Sequence, residues 1–221
     1  VVRGLCQLCI RDRLLGGMPC VAFGPEAGLP VVWMHGGGLV FGSPATHAAM
    51  VSRIAELVDR PVICPAYRLA PEHKWPAPLD DLLAVLDALP EGVDLGGDSV
   101  GGQLALLAAL RRPGRIQRLT LVSPNTDRTG RSTTRDVDTD AMKDDAGDRA
   151  LARLSFGPDL SAHPDASPLL ADLSALPPMW ITAATSEVLL DDTLLLIAEL
   201  GRASVAVTAE ICPGLCHLWV L

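Results

Sequence analysis

The sequence predicts a single α/β domain, in which a mostly parallel central sheet carries helices on both faces. Short apolar runs alternate with segments of helical period, and Gly- or Pro-containing junctions separate them, the rhythm of strands joined by helical crossovers. Gly97-Asp98-Ser99-Val100-Gly101-Gly102 places a serine in a G-x-S-x-G frame between a candidate strand and a candidate helix. With 221 residues, 49% of them hydrophobic, the chain is long enough to bury one full core.

The elements follow in order. Residues 5–10 and Met18–Phe23 read as an opening antiparallel pair joined through Gly16-Gly17, and Val31–Met34 as the next strand. A helix is expected over 45–58, with Val51, Ile54, Ala55 and Val58 on one face, followed by a strand over 62–64. Leu79, Leu82, Leu83 and Leu86 form the buried stripe of a further helix, whose first turn carries Asp80 and Asp81, where acidic charge suits the helix dipole. A short strand over 92–96 leads into the serine frame, and an uninterrupted helix former over 103–110 ends at Arg111-Arg112-Pro113-Gly114. Ile116–Val122 and Met179–Ala184 read as strands, 193–200 as a helix closed by Gly201, and 205–210 as the last strand. The segment 123–178 breaks the rhythm. It is rich in Asp, Thr, Ser and Pro, with one helix expected around 148–154, and reads as a cap-like insertion within a single domain spanning 1–221. An insertion at the carboxyl edge of a parallel sheet lies beside the ligand crevice, so this one is a candidate wall or lid.

Composition narrows the function classes. The net charge is -8, and six aspartates between Asp136 and Asp148 read as a solvated surface stretch, which argues against nucleic acid as a partner. Apolar runs such as 104–110 are too short to span a bilayer, and the first residues lack the form of a signal peptide, so a soluble cytoplasmic protein is expected. A homodimer is compatible with this composition. Cys6-x-x-Cys9 and Cys212-x-x-x-Cys216 have spacings that could supply thiolates to zinc. Cys6 and Cys9 fall in a candidate strand, however, where residues three apart face opposite sides, and the other cysteines sit among apolar neighbours. Buried free thiols are the better reading, with no metal and no cofactor.

The G-x-S-x-G frame is a tight strand-to-helix turn that holds its serine in a strained conformation and tolerates only small residues two positions to either side, here Gly97 and Gly101. Ser99 would stand at a helix N-terminus, where free N–H groups favour a developing oxyanion. A serine hydroxyl needs a histidine to take its proton and a carboxylate to orient that histidine. On such an elbow the acid and then the histidine follow the serine in the chain. Of the five histidines only His163 and His217 qualify; His163 lies in the insertion, before the Met179–Ala184 strand, and His217 follows the last strand, so His217 is the candidate base. Glu187, Asp191 and Asp192 all follow the Met179–Ala184 strand. Glu187 is favoured because it sits in the turn directly after the strand, with Asp191 as the alternative, since Asp191 and Asp192 occupy expected helix-capping positions. The run His35-Gly36-Gly37-Gly38 follows a strand and lets backbone amides approach a substrate closely; Gly37, Gly38 and Val100 are the candidate oxyanion-hole donors.

As a set, these motifs resemble the hormone-sensitive-lipase-like bacterial and archaeal carboxylesterases of the α/β-hydrolase fold. The resemblance also covers Tyr67-Arg68-Leu69-Ala70-Pro71-Glu72-His73, Trp75-Pro76-Ala77 and Glu187-Val188-Leu189-Leu190-Asp191-Asp192. It implies a serine carboxylesterase that cleaves short-chain esters through an acyl-enzyme, with a small-molecule ester as its partner, and it implies structural rather than catalytic roles for His35, Glu72 and His73. Three departures stand out. Val100 replaces the family's usual Ala and is expected to crowd the acyl pocket, and Glu187 stands where the family usually has Asp. The family also carries an N-terminal helical cap and a helix after the histidine, whereas this sequence opens almost at the first strand and ends four residues after His217. A missing or truncated cap, with open pockets, is the expectation. The same residues would serve an amidase, lactonase or deacetylase, and a ligand-binding protein of weak or no activity is the reading from another class.

Overall fold

The computed structural model describes residues 10–161 and 163–220. Its strands are β1 (Ile10–Leu15), β2 (Met18–Phe23), β3 (Val31–Met34), β4 (Val62–Pro65), β5 (Val93–Asp98), β6 (Ile116–Val122), β7 (Met179–Ala184) and β8 (Val207–Cys212). They form one sheet in the order β1-β2-β4-β3-β5-β6-β7-β8, in which β1–β2 and β2–β4 are antiparallel and every other pair is parallel. The helices are α1 (Ala48–Val58), α2 (Ala77–Asp87), α3 (Val100–Arg111), α4 (Asp145–Phe156) and α5 (Leu190–Arg202).

Alternation along β3 divides the core in two. Val32 and Met34 join the larger cluster with Leu82 of α2, Leu104 of α3 and Leu196 of α5, while Val31 and Trp33 face the other way, onto Val51 and Ala55 of α1. Helices thus cover both faces. The chain leaves β3 for β4 on one side and reaches β5 on the other, and such a reversal opens a crevice at the carboxyl ends of the strands.

Several boundaries differ from expectation. The first strand is Ile10–Leu15, because pairing starts at the Gly16-Gly17 turn, where both residues have positive φ (56° and 81°) and Leu15 faces Met18. The remainder of the expected first strand, along with Cys6 and Cys9, lies outside the described residues. Helix α1 begins three residues later than expected, at Ala48, since Ser43 and Thr46 exchange side-chain to backbone hydrogen bonds and hold a turn there. Asp191 and Asp192 do not cap α5. Its N-cap is Leu189, with no side-chain cap bond; both carboxylates point to other segments, and Gly201 lies inside the helix.

The 123–178 segment is laced to the body. Gln103 of α3 donates to the Asp165 carbonyl (2.7 Å), and Trp75 to the Asp165 carboxylate (3.2 Å). Helix α4 starts at an Asp144 side chain that accepts from Gly147 N (2.6 Å). The aspartate run is not uniformly solvated, for Asp148 is 2% exposed and Asp140 half-buried. Among the described residues no helix is long and apolar enough to cross a membrane.

Candidate active site

Four strands end at one edge, and the loops after them carry the predicted site residues. Strand β5 runs straight into Ser99, which has φ 54° and ψ -120° and is followed at once by α3. A non-glycine residue in that region is strained, and the turn closes because nothing larger than hydrogen fits at Gly97 or Gly101: a Cβ at Gly97 would strike the Gly101 backbone, and one at Gly101 the Met34 carbonyl.

The loop after β8 brings His217 over this turn. Its Nε2 lies 3.1 Å from Ser99 Oγ, and its Nδ1 lies 3.0 Å from Glu187 Oε2. Glu187, in the turn after β7, is fully buried, and its other oxygen accepts the Ala184 N–H at 2.9 Å. A buried carboxylate with both oxygens engaged holds the Nδ1–H tautomer, leaving Nε2 as an acceptor toward the serine hydroxyl. Asp191 is not part of this chain: its carboxylate accepts from Thr133 N and Oγ1 at 2.7 and 2.6 Å. His163 sits against Phe156 and Trp75, with ring centroids 5.0 and 6.1 Å away.

Gly37 and Gly38, with φ of 117° and 66°, line a cavity of about 240 Å³ together with Ser99, His217, Phe41 and Leu218. Its far wall comes from the insertion, through Met142, Lys143, Asp144 and Leu151. Val100 opens α3, so its N–H is one of those a helix leaves unpaired. Contrary to expectation its side chain belongs to the core cluster and is not part of the cavity lining. A larger cavity of about 320 Å³ lies across the sheet beside α1, between Trp33 and Trp180, and contains none of these residues.

A family model for the α/β hydrolase fold matches residues 31–221. An esterase of the bacterial hormone-sensitive lipase family has a structure that superposes with a TM-score of 0.87 at 32% identity, over 97% of this chain and 79% of that one. The chain belongs to the hormone-sensitive-lipase-like branch of the α/β-hydrolases. It is similar to an acetyl-hydrolase of Streptomyces hygroscopicus (33% identity over 88% of this chain and 69% of the relative). It is also similar to the carboxylesterase/phospholipase LipF of Mycobacterium tuberculosis (32% identity, 92% of this chain), of whose length it spans 59%.

One support of this α/β-hydrolase site escapes a reading of the sequence. Asp98, inside the serine motif, is fully buried; it accepts Trp33 Nε1 (2.9 Å) and the Gly36 N–H (2.8 Å) and meets His47 Nε2 at 3.1 Å. It thereby ties the glycine loop to the serine turn. The one available signal was a carboxylate ending an apolar, glycine-rich strand, which must find partners when buried. His35 is pinned as well: its carbonyl accepts from the Tyr67 hydroxyl (2.8 Å), and its Nδ1 lies 2.7 Å from the Gly36 carbonyl. Burial pushes the His35 imidazole down to about 4, against the bond to Gly36, and the nearby His47 adds to the lowering.

Proposed function

We propose that the protein is a serine carboxylesterase acting on small carboxylic esters. The observation that carries this reading is the unbroken run of hydrogen bonds from Glu187 through His217 to Ser99, at the wall of a cavity also lined by Gly37 and Gly38. In this reading His217 Nε2 takes the Ser99 proton as Oγ attacks the ester carbonyl, and Glu187 steadies the imidazolium. The N–H groups of Gly37, Gly38 and Val100 receive the oxyanion. His217 then protonates the departing alkoxide, and a water activated by the same histidine releases the acid from the acyl-serine. The segment 123–178 serves as the outer wall of the pocket within one domain. The names of the relatives support ester hydrolysis, and the modest cavity volume of about 240 Å³ supports a short acyl group.

Hydrolysis of p-nitrophenyl butyrate by the wild type and by Ser99→Ala tests the proposal. Ser99→Ala should lose about 10⁴- to 10⁶-fold in turnover, because nucleophile and base act as a unit. A loss below tenfold would rule out Ser99. Equal rates on butyrate and palmitate esters would refute the short-chain preference.

A further inference from the structure

We infer that Asp140 is a positioning residue for the base, its carboxylate binding together the backbones that carry His217 and Glu187. The inference rests on the triad reading above. Asp140 Oδ1 accepts the N–H of His217 itself (3.2 Å) and that of Met142 (3.0 Å), while Oδ2 accepts the N–H of Val188, the residue after Glu187 (3.1 Å). One side chain from the insertion therefore joins the acid turn to the histidine loop. Hydrogen bonds to an ionised acceptor are roughly twice as strong as neutral ones, which suits a carboxylate to this task.

The surroundings show what the clamp acts on. Leu218, next to the base, has a φ of 55°, so the histidine loop is held in a conformation that non-glycine residues adopt reluctantly. Among the described residues its other backbone ties include the bonds from Gly214 N to Thr185 Oγ1 (2.8 Å) and from Ser186 N to the Leu215 carbonyl (3.1 Å), both short of His217. The insertion runs along the acid turn, with Thr139 Oγ1 donating to the Ser186 carbonyl and Thr134 Oγ1 to the Val188 carbonyl, both at 3.1 Å. Met142 and Lys143, just beyond Asp140, line the cavity, so the strip that walls the pocket also holds the base. The imidazole must keep two contacts of about 3 Å at once, and a displacement on the order of 1 Å costs about 100-fold in rate.

The test is a double-mutant cycle, with kcat and KM measured on p-nitrophenyl butyrate and folding checked by circular dichroism. Asp140→Ala should lower kcat about 10- to 100-fold with KM changed less than about twofold, because the base is displaced while the pocket persists. Asp140→Asn should lose about 3- to 10-fold, since whichever way its amide is turned, the NH₂ faces one of the backbone N–H groups. In a Glu187→Gln background either change should cost less than about threefold more, the histidine having already lost its orienting partner. Losses that multiply in the double variants, a rise in KM alone, or a folded Asp140→Asn with wild-type kcat would each overturn the assignment. If Asp140→Ala does not fold, Asp140→Asn carries the same cycle. Failure of the triad reading shows separately, as wild-type turnover in Ser99→Ala, and overturns both.

Discussion

Glu187 and Asp191 are four residues apart and both acidic, yet their surroundings differ completely. Glu187 is sealed beneath His217, whereas Asp191 accepts two bonds from Thr133 near the surface. Glu187→Gln should cut turnover about 10²- to 10⁴-fold in a folded protein, the range expected when the histidine loses its tautomer partner. Asp191→Asn should keep turnover within a few-fold of wild type, because its carboxylate ties the insertion to α5 and does not touch the imidazole. The reverse pattern of rates would make Asp191 the acid. At His35, burial sets the pH response. Its pKa is about 4 in the folded protein against roughly 6.5 unfolded, so between those values the unfolded chain binds more protons and stability falls as pH falls. The contribution is complete above about pH 6.5, and the full shift corresponds to about 3 kcal/mol. Denaturant midpoints measured from pH 7 to 4 should decline in the wild type and decline less in His35→Asn; parallel declines would remove His35 as the cause.

At the scale of the element, the insertion is held by charges inside the protein. Asp148 of α4 meets Arg135 (2.9 Å) and Lys143 (2.8 Å) and accepts from Asn125 (2.7 Å), while Arg135 also reaches Asp192 of α5 (2.7 Å). Burial opposes ionisation of Asp148, but Lys143, Arg128 and Arg135 together hold its carboxyl well below the usual carboxylate range. A depressed carboxylate stabilises the fold fully above its unfolded pKa of about 3.9 and loses that contribution as pH falls through the folded value. Asp148→Ala strands buried cations and should destabilise the protein by about 3–5 kcal/mol in urea denaturation at pH 7. A change below about 1 kcal/mol would mean that water reaches the cluster and screens it. Elements without such ties were easier to read: β3 and β7 match expectation because each is a nearly uninterrupted apolar run, and β6 because Ile116, Leu119, Leu121 and Val122 lie between the Pro113-Gly114 and Ser123-Pro124 breakers. The start of α1 differs because the Ser43 and Thr46 hydroxyls bond each other's backbone in a local turn, and the N-terminus of α5 because the Asp191 and Asp192 carboxylates take tertiary partners over the local helix.

For the whole molecule, the architecture was legible because alternating periodicities and the Gly97–Gly101 spacing are local signals. Ser99 and His217 were singled out by chain order, and Glu187 by its place in the turn directly after β7; β5, β7 and β8 are parallel, so the loops after them emerge at one edge and bring these three side chains together. Asp140 and Asp148 could not be distinguished within a run of six aspartates, since the amides and cations that engage them come from segments distant in the chain or from within the run itself. On the proposed function, Ser99 is the nucleophile that this edge activates. Labelling with diethyl p-nitrophenyl phosphate, followed by intact-mass and peptide analysis, tests it most directly. The wild type should take up a single diethylphosphoryl group, on the peptide bearing Ser99, in step with loss of ester hydrolysis, while Ser99→Ala takes up none and His217→Ala reacts far more slowly. Inactivation with the group on another residue, or unmodified Ser99 in a folded, fully inhibited protein, would exclude Ser99 as the nucleophile.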